Sequence, residues 1–396
     1  MVTANERRPR VADFSTHLSG PFASHLLVDL GADVVKIENP RNGDGNRGVG
    51  PFIEDVGNMH VALGPGTRSL AVERRSEHWP RVVDAAARWA DVVIVGSRPS
   101  DAIRRGIGFE TFQAANPRIV YCLISGYGET GPWADVTAHG QSLDAFAGLV
   151  RHEVVDGRPV TSDGWRSTGT TLAGVYAALG IMGALYKVQL GAPAQYVHVS
   201  IWNAGMSWQW RDLNTLANLD ETWPEYRDLG SRYCLYATKD DRAILFAPCE
   251  KKFWDTFCDL VGLPERKEIG EWSSGMDFGK GDIMEEERRI IGAKVRERTR
   301  DEWVQVFLTS DVPFAPILTP QEAMSSEHAR VNHVMADSSI GGATVQVPTS
   351  PVTIRDAGSA YTSRPPAEPY SPPPGIGEQT DEVLRDFGLD DLAGRL

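Results

Sequence analysis

The sequence has no excess of basic residues. Its 396 residues include 40 Lys and Arg against 53 Asp and Glu, which gives a formal net charge of -13. Nucleic acids and anionic membranes are bound through basic surfaces, so this balance argues against either as the main partner. A polyanionic small molecule remains possible, but it would need local arginines, lysines or helix N-termini to bind.

Cysteine pairs and long apolar runs are also missing. The four cysteines show no CxxC spacing, so no metal site is predicted, and Cys122 is predicted to be a reduced, buried thiol. The longest apolar run, LAGVYAALGIMGALY, has 15 residues, which is short for a bilayer and predicts a core helix. The opening MVTANERRPRVADF has no apolar segment typical of a signal peptide. We therefore expect a soluble, cytoplasmic protein.

The first half of the chain alternates strand and helix patterns. The strand-like segments are 11–14, 32–38, 68–73, 91–96 and 118–128, and the helical segments between them are 20–31 and 77–90. Such alternation is typical of a parallel sheet with helical crossovers. No GxGxxG follows the first strand, so the dinucleotide-binding fingerprint is absent.

The second half of the chain lacks this regular alternation of strand and helix patterns. The run SIWNAGMSWQWRDL contains three tryptophans, residues 235–249 predict a hairpin, and 251–262 and 285–307 predict helices. We predict a large domain over 1–200 and a smaller α+β domain over 201–318. The Pro- and Gly-rich segment 319–396 is predicted to return to the large domain or to a partner subunit.

Several ordered motifs resemble the family III CoA-transferases, also called the CaiB/BaiF family. The matching segments are DFSTHLSGPFASHLLVDLGADVVKIENP, GDGNRG at 43–48, TRSLAVE, ADVVIVGSRP, IRRGIGFETFQAANPRIVYCLISGYGETGPWAD, GVYAALGIMGALY and IGEQTDEVLRDFG. The resemblance covers nearly the whole chain. It implies a Rossmann-like α/β large domain with a parallel sheet built from both chain ends, a small middle α+β domain, and an interlocked dimer. It also implies that coenzyme A enters as the acyl-CoA substrate, with no covalently bound cofactor.

The resemblance implies a nucleophile just before the GVYAALG helix. Transferases of this family use an aspartate there, which attacks the thioester to form a mixed anhydride that the CoA thiolate opens. Aligned on Gly174 and Gly180, that position is Thr170 in this sequence. A threonine hydroxyl without an adjacent base is a poor nucleophile. Asp163 is the nearest acid, seven residues upstream, and its Asp-Gly sequence is equally typical of a turn.

The segment GPWADVTAHGQSLDAFAGL aligns with the family without a gap. It places His139 where racemases of the family carry the base that moves the proton alpha to the thioester carbonyl. The acid that usually follows is Gly140 here. Asp144 is a possible carboxylate partner for His139, but a solvated or capping role is the simpler interpretation.

Several of the residues that the family uses to contact CoA are replaced in this sequence. The resemblance implies contacts from His17, Leu18, Arg47, Arg98 and Arg104, although each arginine is equally well explained as an ordinary surface residue. The family's basic NRGKRSL-type run, which serves the nucleotide phosphates, is GPGTRSL here.

Three hypotheses remain open at this point. The favoured one is a CoA-transferase subunit that transfers CoA between an acyl-CoA thioester and a carboxylic acid, as the non-catalytic partner of an Asp-bearing homologue. The second is an active enzyme with different chemistry, either a racemase or isomerase using His139 or a transferase using Asp163. The third is a non-enzymatic binding homodimer. The sequence does not name the acyl group; the tryptophans at 202–210 permit a bulky apolar or aromatic acid, or core packing.

Overall fold

The computed structural model describes residues 8–161, 166–219, 229–354 and 369–396. The chain divides into two compact units, the first formed by Met1–Trp210 with His328–Leu396 and the second by Arg211–Glu327. The sequence placed these divisions at 200 and 318.

The elements of the first unit alternate as the sequence pattern indicates. Its strands up to residue 200 are β1 (Arg10–Asp13), β2 (Asp33–Glu38), β3 (Phe52–Ile53), β4 (Val56–Gly57), β5 (Thr67–Ala71), β6 (Val92–Gly96), β7 (Val120–Ser125), β8 (His152–Val155), β9 (Arg158–Thr161) and β10 (Gln195–Ser200). The helices in this part are α1 (Ser19–Asp29), α2 (Asn58–Leu63), α3 (Trp79–Trp89), α4 (Pro99–Arg104), α5 (Phe109–Ala115), α6 (Gly140–Phe146), α7 (Thr168–Gln189) and α8 (Ile201–Trp208). The next helix, α9 (Trp210–Asn218), begins at the last residue of this part and otherwise belongs to the second unit.

The later elements are fewer. The second unit contains β11 (Cys234–Ala237), β12 (Ala243–Phe246) and β13 (Phe314–Pro316), with α10 (Lys251–Val261), α11 (Met284–Val295), α12 (Arg300–Leu308), α13 (Pro320–Ser325) and the start of α14 (Glu327–Val331). The chain then returns to the first unit through β14 (Met335–Ile340), β15 (Ala343–Pro348) and α15 (Thr380–Asp386).

A six-stranded parallel sheet forms the centre of the first unit. Its order is β10-β7-β6-β1-β2-β5, and every neighbouring pair is parallel. Successive residues of one strand enter opposite cores: Val93 packs with α3, α5 and α15, whereas Ile94 packs with α1, α7 and α8. Both faces of the sheet are therefore covered, which explains the unbroken Val and Ile run of β6.

One part of the predicted architecture is wrong. The sheet was expected to draw strands from both chain ends, but all six strands lie between residues 10 and 200. The C-terminal segment instead supplies α15, which packs against β5 in the same core. Its loop caps the edge of that strand, since Gln379 N donates to Ser69 O and Ala71 N donates to Thr380 Oγ1, at 3.1 Å each.

Helix α7 is longer than its apolar run indicated, and only one face of it is core. Ala173, Ala177 and Ile181 are fully buried, whereas Leu179 and Tyr186 are 66% and 63% exposed. By length and composition, this 22-residue helix could also cross a membrane; a single such helix is weak evidence, because core helices of soluble proteins meet the same criterion.

The second unit packs a small antiparallel sheet against helices. Strand order is β11-β12-β13, and Trp254, Phe257 and Trp303 form the centre of its core. The predicted helical segment 285–307 is two helices, because Thr299 forms a capping box with Glu302 and starts α12.

Candidate functional site

The candidate site in the first unit is an open cleft of about 620 Å³ at the carboxyl ends of β1, β6 and β7. The strand order reverses between β1 and β6, since the chain leaves β1 for β2 on one side and returns to β6 on the other. Open α/β sheets bind ligands at such a switch point. The lining residues are Thr16–Gly20, Asn46, Val49, Met59, Gly96–Arg98, Asp101, Ile124, Gly126, Val136–Gly140, Leu143, Ser167, Thr170 and Ile201.

A buried ionic network supports the loop between β1 and α1. Lys36 Nζ lies 2.7 Å from Asp44 Oδ2 and 3.2 Å from Asp13 Oδ2, and it also donates to the carbonyl oxygen of Ser15. Burial alone would lower the pKa of Lys36, but the carboxylates of Asp13 and Asp44 outweigh it and raise that pKa. Likewise, burial opposes ionisation of Asp44, but Lys36 and two backbone N–H groups keep its pKa below the usual value.

This network fixes His17 in an unusual backbone conformation. His17 has a φ of 65°, which is rare for a non-glycine residue. Its N–H donates to Asp44 Oδ1 at 2.9 Å, and its carbonyl accepts a hydrogen bond from Asn46 Nδ2. His17 and the following Leu18 both line the cleft, and the CoA contacts expected from them stay predictions.

Arg47, which was expected to contact CoA, lies outside the lining of the cleft. Its guanidinium pairs with Glu38, with Nε 3.0 Å from Oε2, and donates to Pro374 O at 2.8 Å. It is not among the cleft-lining residues. The buried His60 donates from Nε2 to the same Pro374 carbonyl oxygen at 3.1 Å, and its pKa is lowered by burial and by the charge of Arg47. Arg47 therefore ties the GDGNRG turn to the C-terminal segment.

Arg98 and Arg104 share one carboxylate. Arg98 Nε lies 2.7 Å from Asp101 Oδ2, and Arg104 pairs with Oδ1 of the same residue. The hydrogen bond from Arg98 is the largest cause of the lowered pKa of Asp101. Arg98 and Asp101 line the cleft, whereas Arg104 does not and its side chain is 73% exposed.

Thr170 lies on the cleft wall in the first turn of α7. It is 7% exposed, and its hydroxyl is hydrogen-bonded to the hydroxyl of Ser167. Its carbonyl accepts a hydrogen bond from Ser19 Oγ at 2.9 Å, which joins the starts of α1 and α7. The only formally negative side chain among the described lining residues is Asp101, already paired with two arginines.

Asp144 is a helix cap. It is fully buried, and its two carboxylate oxygens accept from Thr168 N at 3.0 Å and Gly169 N at 2.8 Å. These are amide groups at the start of α7 that have no partner within the helix. Its position favours the capping interpretation over a role as the carboxylate partner of a base.

His139 lies at the cleft but is exposed, immediately before α6. The next residue, Gly140, approaches α7 closely: a Cβ built on it would lie 2.9 Å from Ser167 Oγ and 3.0 Å from Thr170 Cγ2. His139 and Thr170 both line the cleft, and their predicted functional roles stay predictions. Asp163 lies outside the described residues.

Sequence reasoning missed the Lys36 network. Its signal was a lysine at the centre of DVVKIE, whose other inner residues are all apolar, and an aspartate at the end of β1. An ionisable residue within a buried parallel strand needs a charged partner. The Ser167–Thr170 hydroxyl pair had no recognisable pattern, because it depends on the turn geometry before α7.

Comparisons with known proteins agree with this architecture. A sequence model described as CoA-transferase family III matches residues 9–378. The acetyl-CoA:oxalate CoA-transferase of Acetobacter aceti is 26% identical over 385 residues, covering 95% of this chain and 94% of the relative. The succinate–glutarate CoA-transferase of Agrobacterium fabrum is 24% identical over 397 residues, covering 96% and 94%. The crystal structure of a CAIB/BAIF family protein from Brucella suis superposes with a TM-score of 0.74 at 22% identity, covering 96% of this chain and 98% of that one.

Proposed function

Because the chain belongs to CoA-transferase family III, we propose that it is a CoA-transferase subunit that acts as the non-catalytic partner of a homologue bearing the catalytic aspartate. The reaction of the pair is transfer of CoA between an acyl-CoA thioester and a carboxylic acid. Relatives named for that reaction, acting between acetyl-CoA and oxalate or between succinate and glutarate, support the reaction class.

The observation that carries the non-catalytic role is Thr170. The resemblance to the family implies that its nucleophilic carboxylate aligns with this position, where this chain has a hydroxyl hydrogen-bonded to that of Ser167. Among the described residues, the hydrogen-bond partners of Thr170 Oγ1 are the Ser167 hydroxyl and the Ser167 carbonyl oxygen, and neither is a base. A threonine so placed holds the wall of the cleft but does not form an acyl intermediate.

Binding of CoA thioesters is part of the proposal. The cleft is large enough for the thioester end of the ligand, and His17, Leu18 and Arg98 line it. Coenzyme A is here substrate and product, and no covalently bound cofactor is proposed. The four cysteines form no disulfide, which is consistent with the reducing cytoplasm in which we place the reaction.

The exposed face of α7 supports association with a homologous subunit. Leu179, Met182 and Tyr186 are 66%, 41% and 63% exposed and follow one another at helical spacing. A contiguous apolar stripe of this kind marks an interaction surface in soluble proteins. We propose that a second family member covers it in an interlocked dimer, either a homodimer or the heterodimer with the Asp-bearing homologue.

The test is CoA exchange by the purified chain with and without the Asp-bearing homologue, using a panel of acyl-CoA donors and carboxylic acids. We expect no exchange by the chain alone and exchange by the co-expressed pair. Thr170→Val in this chain should leave the pair's rate within about twofold, because the removed hydroxyl takes no part in transfer. Exchange by the isolated chain that is lost on His139→Ala or Asp163→Asn would contradict the proposal.

One observation favours a second candidate function. The imidazole of His139 faces the cleft and is exposed, as a base that abstracts an alpha proton must be. A racemase or isomerase would exchange the alpha proton of an acyl-CoA in deuterated water, and His139→Ala would abolish that exchange. A binding homodimer without chemistry would bind acyl-CoA and show neither activity, alone or with the homologue.

A further inference from the structure

A small polar cavity lies next to the candidate cleft in the first unit, and Asn46 lines both of them. The cavity gives the centre of a small molecule about 20 Å³ of room, whereas one buried water needs about 10–15 Å³. Most of its lining residues are both polar and buried; the full lining is Asp13, Pro21, Ser24, Lys36, Asp44, Asn46, His60, Leu63, Gly64 and Thr67. A site of this size and polarity suits a single water-sized ligand.

The side-chain oxygen of Asn46 is the unsatisfied group at this cavity. Asn46 is 1% exposed, and its Nδ2 donates to the carbonyl oxygen of His17, which fixes the orientation of the amide. Its Oδ1 is buried and accepts no hydrogen bond from the described residues. Buried polar atoms in native proteins nearly always have a protein or water partner, because a buried acceptor without a donor is destabilising.

The donors around the cavity already have acceptors. All three N–H groups of Lys36 are used in the buried ionic network described above. Ser24 Oγ donates to Asp13 Oδ2 at 2.8 Å. Thr67 Oγ1 donates to the carbonyl oxygen of Gly64 at 2.6 Å. Among the described residues that line the cavity, these side chains therefore have no donor left for the unsatisfied amide oxygen.

His60 adds a second acceptor to the lining. Its Nε2 donates to the carbonyl oxygen of Pro374 at 3.1 Å, so Nδ1 of the neutral ring carries a lone pair and no hydrogen. Burial and the charge of Arg47 lower the pKa of His60, which keeps the ring neutral at pH 7. The cavity thus presents acceptors that need a donor, which excludes an anion as its occupant.

A small cation would also satisfy acceptors, but the surroundings favour a neutral donor. The ammonium group of Lys36 lines the same cavity and would repel a second positive charge at this short range. Among the described residues, no group of three or more His, Cys, Asp or Glu side chains is placed to hold a metal ion. A water molecule fits the volume and carries two donors.

We propose that this cavity binds one ordered water molecule, which donates to Asn46 Oδ1 and to His60 Nδ1. Because the cavity admits little more than one water, that water contacts both residues. It is a structural component of the cleft and takes no part in a reaction. Through Asn46 it supports the backbone of His17 in the cleft, and through His60 it connects this wall to Pro374 in the C-terminal segment. The inference does not depend on the proposed function, since it requires no bound CoA.

The first experiment is a crystal structure of the unaltered chain at a resolution that shows ordered water. We expect one density peak in the cavity, about 2.7–3.2 Å from both Asn46 Oδ1 and His60 Nδ1. A second crystal, soaked in rubidium chloride, tests for a monovalent cation by anomalous scattering. We expect no anomalous peak at this position.

The second experiment counts long-lived internal water in solution by magnetic relaxation dispersion of the water oxygen. Asn46→Leu removes the anchoring oxygen at similar side-chain volume and should lower the count by one. His60→Phe leaves the bond between Asn46 and His17 intact, removes the second acceptor, and should also lower the count by one. Thr67→Val is the matched control, since the hydroxyl it removes donates to Gly64, and it should leave the count unchanged. Thermal unfolding checks that each variant is folded.

The remaining outcomes would overturn the inference. A peak with several oxygen contacts of about 2.0–2.6 Å, or a rubidium signal, would identify a cation. A cavity without density, or an Asn46 Oδ1 that accepts from a protein donor, would remove the reason for the water. An unchanged count in both Asn46→Leu and His60→Phe would show that these residues hold no long-lived water. None of these results bears on the proposed function, which the CoA-exchange assay tests separately.

Discussion

Replacing Asp144 tests whether its carboxylate caps the start of α7, the helix that carries Thr170 on the cleft wall. The carboxylate is fully buried and accepts from two amide groups, Thr168 N and Gly169 N. A hydrogen bond to a charged group contributes about 1.5–3 kcal/mol, and loss of an N-cap costs about 1 kcal/mol in typical cases. Asp144→Ala should therefore lower the free energy of unfolding by about 3 kcal/mol. Asp144→Asn keeps one acceptor and should cost about half as much.

Hydrogen exchange read by mass spectrometry locates the effect. Peptides that cover the first turn of α7 should exchange faster in Asp144→Ala, and peptides of the second unit should exchange as in the unaltered chain. Urea unfolding gives the global change. The matched control is Asp311→Asn, since Asp311 is an exposed aspartate of the second unit and should change neither measurement.

A catalytic role for Asp144 makes the opposite prediction. If the carboxylate assisted a base at His139, Asp144→Asn would abolish proton or CoA exchange while stability and amide protection at α7 stayed unchanged. That result would refute the assignment of Asp144 as a cap.

The remaining predictions concern three other positions. Asp44→Asn should lower the melting temperature at pH 7, and the difference should shrink as the pH falls below about 4, since a depressed carboxyl pKa stabilises only while the group is ionised; a constant difference down to pH 2 would argue against the network. Arg232→Ala should destabilise the second unit by about 3–5 kcal/mol, because Glu287 loses a buried partner 2.8 Å away; Arg232→Lys tests the geometry, and unchanged unfolding would refute the role. His139→Ala should leave CoA transfer by the pair within about twofold in steady-state assays, and a loss of tenfold or more would instead favour His139 as a base.

Local patterns were sufficient for most of the fold. Buried Val and Ile runs such as that of β6 and the amphipathic pattern of α3 are local, and they predicted a parallel α/β sheet. The role of the C-terminal segment depends on contacts between Ser69 and Gln379, more than 300 residues apart. No local pattern distinguishes a segment that adds a strand from one that caps an existing strand.

The sequence indicated several residues of the candidate site, but it did not indicate which partners their side chains bind. The resemblance singled out Thr170 and His139 separately; the structure shows that both line the cleft, and Gly140 permits the close approach of α6 to the start of α7. Arg47 and Arg104 were plausible phosphate ligands in the sequence, yet each pairs with a carboxylate in the structure. Ion-pair partners are chosen by tertiary packing, which composition and spacing do not encode.

The central claim is that this chain carries no acyl intermediate of its own. The direct measurement is intact-mass and peptide mass spectrometry of the pair after incubation with acyl-CoA and hydroxylamine, which converts an activated carboxylate into a hydroxamate. We predict a hydroxamate on the Asp-bearing homologue and none on this chain. A hydroxamate on this chain, at Asp163 or any other carboxylate, would contradict the account.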